Sequence, residues 1–353
     1  IRLMAYSTIP KGSLYMNNVL WTGNNTARTI TGVGFQPDFT WIKSRTQAYN
    51  HILTDVLRGT TKYLSSNTNT VETTDAQTLT AFASDGFSIG TSNLVNQNVQ
   101  DHVAWNWKGG GTGSANTDGS INSTVSANTT SGFSIVQYVG DGGASATIGH
   151  GLGVKPKMFV VKSLVTDDWT VYNETDGPDY GMFWNSTAAK TNDSSYFNDT
   201  EPTSTVFTIG TNGRVNDIGV TYIAYCFADV QGFSKMGSYT GNGNVDGTFV
   251  YTGFKPAFVM IKRTSGTGGW FMFDNKRDTF NLTSRSLQAD TSGAENNYTA
   301  ADTMNLDILS NGFKLKSTDG AVNGSGSTYI YMAFAENPFV ATSGTSAIPV
   351  TAR

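Results

Sequence analysis

Gly34-Phe35-Gln36-Pro37-Asp38-Phe39-Thr40-Trp41-Ile42-Lys43 returns as Gly153-Val154-Lys155-Pro156-Lys157-Met158-Phe159-Val160-Val161-Lys162. It returns again as Gly253-Phe254-Lys255-Pro256-Ala257-Phe258-Val259-Met260-Ile261-Lys262. Each copy is a proline followed by a short apolar run rich in Val, Ile, Phe and Trp, which reads as a strand. Ala257 to Ile261 is apolar on both faces, so a central strand is expected. The prolines stand 119 and 100 residues apart. That period is domain-sized, well above the roughly 20–50 residues of solenoid units, so each copy is expected to hold its own core.

Working outward, three more landmarks keep the same order. The proline is followed after 50, 51 and 57 residues by Phe87, Phe207 and Phe313, and these after 20, 20 and 21 residues by Trp107, Phe227 and Phe334. Upstream lie Trp21-Thr22-Gly23, Tyr138-Val139-Gly140 and Tyr239-Thr240-Gly241. In the last strand Val103, Trp105 and Trp107 share one face, matched by Ile223, Tyr225 and Phe227, and that face is assigned to the core. Asp85-Gly86 and Asn311-Gly312 sit between apolar runs and predict hairpins with type I′ turns. Further strands are expected over 51–55, 169–173 and 270–274, and over 63–65, 182–184 and 286–288. No long window has helical spacing. The expected fold is all-β: three tandem antiparallel β-sandwich domains, jelly-roll-like, of about 100 residues each. Residues 1–108, 131–230 and 231–340 are the three repeats. Gly109–Thr130, almost without large apolar residues, is expected as an extended linker that sets the first repeat apart. Residues 341–353 read as a polar tail.

Charged residues are only 14%, against roughly 25% in ordinary soluble domains. Aromatics at 12% argue against disorder. The net charge of −4 and the absence of a basic block count against nucleic acid as a partner. No apolar run approaches a bilayer span, and no N-terminal charged-then-apolar secretion signal is read, so membrane insertion is not expected. One cysteine, Cys226, rules out an internal disulfide and reads as a small buried thiol.

No catalytic set recurs in the three copies. Asp55 and Asp274 align, but the second copy has Asn173, which cannot act as a general acid, so the column reads as turn capping. No metal or cofactor motif is present. Lys43, Lys162 and Lys262 read as strand-end charges that discourage edge pairing. Trp21, Trp41, Trp105 and Trp107 read as core, as do Trp169 and Trp270, which align with His51. Trp184 faces Ser65 and Gln288 in the alignment and stands alone among polar residues. With Tyr180 and Tyr196 it is the candidate ligand-binding group, an aromatic surface for a sugar or a partner.

With these landmarks assembled, the chain resembles a family of triplicated β-proteins of marine tailed bacteriophages. The resemblance rests on Met4-Ala5-Tyr6-Ser7-Thr8-Ile9, Thr31 to Lys43, Ala104-Trp105-Asn106-Trp107-Lys108, Gly149-His150-Gly151-Leu152-Gly153, Tyr239-Thr240-Gly241-Asn242-Gly243 and Tyr329 to Phe339. It covers nearly the whole chain. It implies a tail-fibre or virion structural protein on the virion exterior, with other virion proteins and host cell-surface glycan or protein as partners, and carries no site residues with it. The expected function is non-enzymatic host attachment by many weak contacts, as a homotrimer. The alternatives are a structural head or tail decoration protein and, third, a polysaccharide depolymerase.

Overall fold

The computed structural model describes residues 7–298 and 304–338, and the backbone of 340–341 and 348–349. Of the expected tail over 341–353, all else lies outside the described residues. Each apolar run is a strand, and among the described residues the α-helical pieces are the single turns Asn93–Asn96 and Gly213–Asn216. The same sheet recurs three times. Met16–Thr22 lies beside Asp101–Trp107, then Phe39–Ser44, then Ile52–Asp55. Phe133–Val139, Thr221–Phe227, Met158–Ser163 and Thr170–Asn173 follow the same order, as do Ser234–Thr240, Thr328–Pro338, Phe254–Arg263 and Trp270–Asp274.

A smaller sheet covers the outer face of each. Arg28–Thr31, Gly86–Ile89 and Leu79–Ala83 form it in the first repeat, and Phe249–Tyr251, Gly312–Leu315 and Leu306–Leu309 in the third. Each repeat is thus an antiparallel sandwich. As in a jelly roll, its first strand pairs with its last and its second with the next to last. Unlike a jelly roll, the fourth strand folds back on the third.

The hairpins fall where Asp85 and Asn311 placed them, but their turns are not type I′, because neither residue has positive φ. Gly86 and Gly312 instead begin the returning strand. A Cβ on Gly86 would lie 2.0 Å from the Ile30 oxygen, and one on Gly312 would lie 2.1 Å from that of Val250. Close approach of a neighbouring strand, joined at Gly86 by a φ of 147°, demands glycine at these two positions, whereas the second repeat places Val206 there, opposite Gly149. The Asp85 carboxylate accepts from the Gly32 and Gly34 amides.

Two expectations about organisation are corrected. Gly109–Thr130 is not a free linker: Ser123–Asn128 pairs with Phe133–Val139, and Ser114–Asn116 pairs with Ser123–Asn128, extending the second repeat's sheet. Ser114–Asn116 is the sheet edge, and Ser123–Asn128 has Val125 as its one large apolar side chain, so composition alone hid them.

The repeats also do not keep three separate cores. The inner faces of all three main sheets merge into one interior, while the outer sandwich layers of the first and second repeats keep clusters of their own. At its centre Trp107, Phe227 and Phe334, equivalent residues of the three repeats, meet edge to face. Their centroids are 6.4, 5.7 and 6.0 Å apart at 65°, 74° and 64°. The repeats therefore surround a pseudo-threefold axis, and the first does not stand apart. Both ends of this body lie together: a Cβ on Gly232 would lie 2.9 Å from Ser7 and 3.0 Å from Pro338.

Candidate functional site

The ring closes through bonds repeated at each junction. The Glu72 amide donates to the Leu164 carbonyl, Lys190 to Thr264, and Glu295 to Arg45, at 3.1, 3.3 and 2.7 Å. These join the first repeat to the second, the second to the third and the third to the first. A ring nitrogen follows the same rule in the opposite sense. Trp169 Nε1 donates to Ser65 O at 2.9 Å, Trp270 Nε1 to Phe183 O at 2.8 Å, and His51 Nε2 meets Gln288 O at 3.0 Å. The histidine that breaks the tryptophan column keeps its hydrogen bond.

This geometry decides the fate of the proposed ligand residues. Trp184 is 1% exposed and lies against Trp41, Trp169 and Trp270, with centroids 5.0, 5.7 and 6.4 Å away. It is inter-repeat core and cannot stack on a ligand. Its true equivalents are Ser66 and Ala289, one residue on from those aligned by sequence, because the Trp184 and Ala289 amides donate to Trp169 and Trp270 alike. One large side chain fills space that the other repeats leave to small ones. Tyr196 is buried against Phe183 and Phe197. Tyr180 is half-buried, with the Lys190 ammonium 4.2 Å from its ring centroid. The three do not form one surface.

The acidic column caps turns, as its asparagine implied, and also bonds across the junctions. Asp55 Oδ1 accepts from the amides of Leu57 and Arg58, and Asp274 Oδ1 from those of Lys276 and Arg277. The second oxygen of each takes its arginine's Nε at 2.6 Å, all four side chains being fully buried. That oxygen also receives a proton donor from the next repeat: Tyr225 Oη at 2.8 Å for Asp55, and Trp105 Nε1 at 3.0 Å for Asp274. Burial alone would raise the Asp274 carboxyl, but Arg277 and Trp105 hold it below the usual carboxylate range. In the third junction the donor column holds Met332, which offers no proton, and the acid column holds Asn173.

The neighbouring charges are reversed there too. Arg277 pairs with Glu295 at 3.2 Å, while at the equivalent positions Asp176 pairs with Lys190 at 2.6 Å. Arg45 adds a bidentate pair to Glu295, at 2.9 and 2.8 Å.

The three lysines are not edge charges. Lys43, Lys162 and Lys262 are fully buried and their strands lie inside the sheets. Loop carbonyls gather around each ammonium: Ser44 and Gln47 for Lys43, Ser163 and Val165 for Lys162, and Thr187, Ala188 and Gly268 for Lys262. Burial pulls each down to about 8. Burial likewise pushes the Cys226 thiol up to about 12, which leaves it unreactive.

With the interior taken up by the ring, the outer surface is what stays accessible. There the sequence reading missed Phe249 and Tyr251, 44% and 53% exposed on the outer edge strand of the third repeat. Tyr251 borders a cavity of about 340 Å³ that Lys235, Ser234, Asp229 and Gln231 also line. The signal was available: at this place the other copies read Thr29 and Thr31, and Thr147 and Gly149. No curated protein and no solved structure matches the chain. Residues 11–338 match a family across nearly their whole span, and the chain belongs to it: Domain of unknown function (DUF7483).

Proposed function

We propose that the chain is a non-catalytic component of a tailed-bacteriophage virion exterior, of the tail-fibre kind, that contacts the host surface. The observation that carries this reading is the commitment of its polar chemistry to ring closure. Asp55 and Asp274, the acids that recur in one column of the repeats, are each locked to an arginine and to a donor from the next repeat. What remains for a partner is a set of rigidly held outer strands and loops. One chain already supplies threefold presentation, so a trimer of chains is not needed for it. Rigid mounting favours many weak contacts, because little ordering entropy is lost on binding.

The test is the composition and image of the virus that encodes the chain. The protein is expected in purified particles by mass spectrometry, with density at the distal tail. Its absence from purified particles would overturn the reading. Density flush with the capsid lattice would replace attachment by decoration.

A further inference from the structure

We propose that Tyr251 and Phe249 form a stacking platform for a pyranose ring of a surface glycan, with the adjoining cavity receiving its hydroxyls. The inference deepens the attachment reading and rests on it. The three repeats act as internal controls. They share one sheet order and one set of junction bonds, so an exposed strand side chain that the sandwich needs is expected to recur; the unmatched Trp184, by contrast, is buried. Phe249 and Tyr251 do not recur. The inward residue between them recurs as Ile30, Ile148 and Val250, whereas their own outward positions hold Thr29 and Thr31, or Thr147 and Gly149. The sandwich forms without these rings in two repeats, and the two aromatics lie on the same face of one strand, a paired patch and not a scattered residue.

The surroundings select the ligand class. A flat aromatic face beside polar groups suits a sugar ring, whose C–H face is apolar and whose rim is hydroxylated. The Lys235 ammonium donates to the Tyr251 carbonyl at 3.2 Å and stands 5.5 Å from the ring centroid, which ties the lysine to the platform. Gln231 and Lys235 offer donors around a cavity of about 340 Å³, while the Ser234 hydroxyl on its wall donates to the Ala228 carbonyl. That volume is at the low end for small-molecule sites, which span roughly 300–1,000 Å³.

The experiment uses the full chain, with methyl α-mannopyranoside, methyl β-galactopyranoside and methyl β-glucuronide as probes, followed by saturation-transfer NMR and calorimetry. At least one probe is expected to bind at millimolar concentration with transfer from the Tyr251 ring. The variant Phe249→Thr/Tyr251→Thr, which installs the first repeat's residues and so keeps the fold, is expected to bind about tenfold more weakly or not at all. Unchanged binding in that variant, or no binding of any probe to the wild type, overturns the platform. So does a protein partner held at this face in place of a sugar. Adsorption to host cells separates the two claims. Equal adsorption of wild type and variant refutes the platform and leaves attachment standing. Absence of wild-type adsorption, together with absence from virions, refutes attachment itself.

Discussion

The junction that joins the third repeat to the first and the one that joins the second to the third share a backbone bond and a ring N–H bond, and differ in nearly everything else. The first of these has no covalent link. It is held by Asp274, Arg277, Glu295 and Arg45, with Trp105 donating into the cluster. The second has a short connecting segment, Asn173 in place of the acid, and an ion pair of opposite polarity between Asp176 and Lys190. The comparison separates what the ring requires from what it tolerates. Register and donor placement are fixed. The sign of a buried pair is free so long as both members change, since an uncompensated buried charge is what costs.

The largest expected effect breaks that contrast directly. Asp274→Ala leaves the buried Arg277 with Glu295 as its remaining ion-pair partner and removes the Trp105 acceptor, and is expected to cost about 3 kcal/mol in denaturant unfolding. Asn173→Ala removes a turn cap without stranding a charge and is expected to cost about 1 kcal/mol. Equal losses would mean that the unlinked junction does not depend on its charges.

The next effect is acid sensitivity confined to one junction. Burial, helped by Lys43, pulls His51 down to about 3, while Trp169 and Trp270 in its column do not titrate. Below about pH 6.5 the unfolded chain binds a proton that the folded chain refuses, so stability falls as pH drops from 6.5 toward 3. The slope is at most about 1.4 kcal/mol per pH unit for this group. Hydrogen exchange at pH 5 is expected to open the Glu295 amide before those of Glu72 and Lys190, and His51→Gln to remove the difference.

The smallest effect is the reversed pair. Lys190→Glu and Asp176→Arg should each destabilise, and the double variant should recover about 1 kcal/mol of coupling, reduced by the partial exposure of Lys190. Absence of coupling would remove the claim that pairing, rather than sign, is conserved among the junctions.

The units were legible in the chain because proline, glycine and aromatic landmarks recur at fixed offsets. The ring was not, because symmetry of units does not say which faces they turn to one another. Hints were present: Ala257 to Ile261 is apolar on both sides, and a sheet buried on both faces needs something beyond its own sandwich partner. Lys43, Lys162 and Lys262 misled because a lysine ending an apolar run ordinarily marks solvent, whereas here loop carbonyls solvate it. Trp184 misled because a side chain without an equivalent can be filling asymmetric space near an axis as readily as serving a ligand. Tyr251 and Phe249 are the complementary case, where the lack of an equivalent coincides with exposure.

Ser7 and Pro338 flank Gly232 on one side of the body. Residues 7 and 338, far apart in sequence, are therefore neighbours in space, and the ring is bracketed at one point of its surface. A circular permutant that joins these two positions by a short peptide and opens an exposed turn elsewhere is then expected to keep the threefold body.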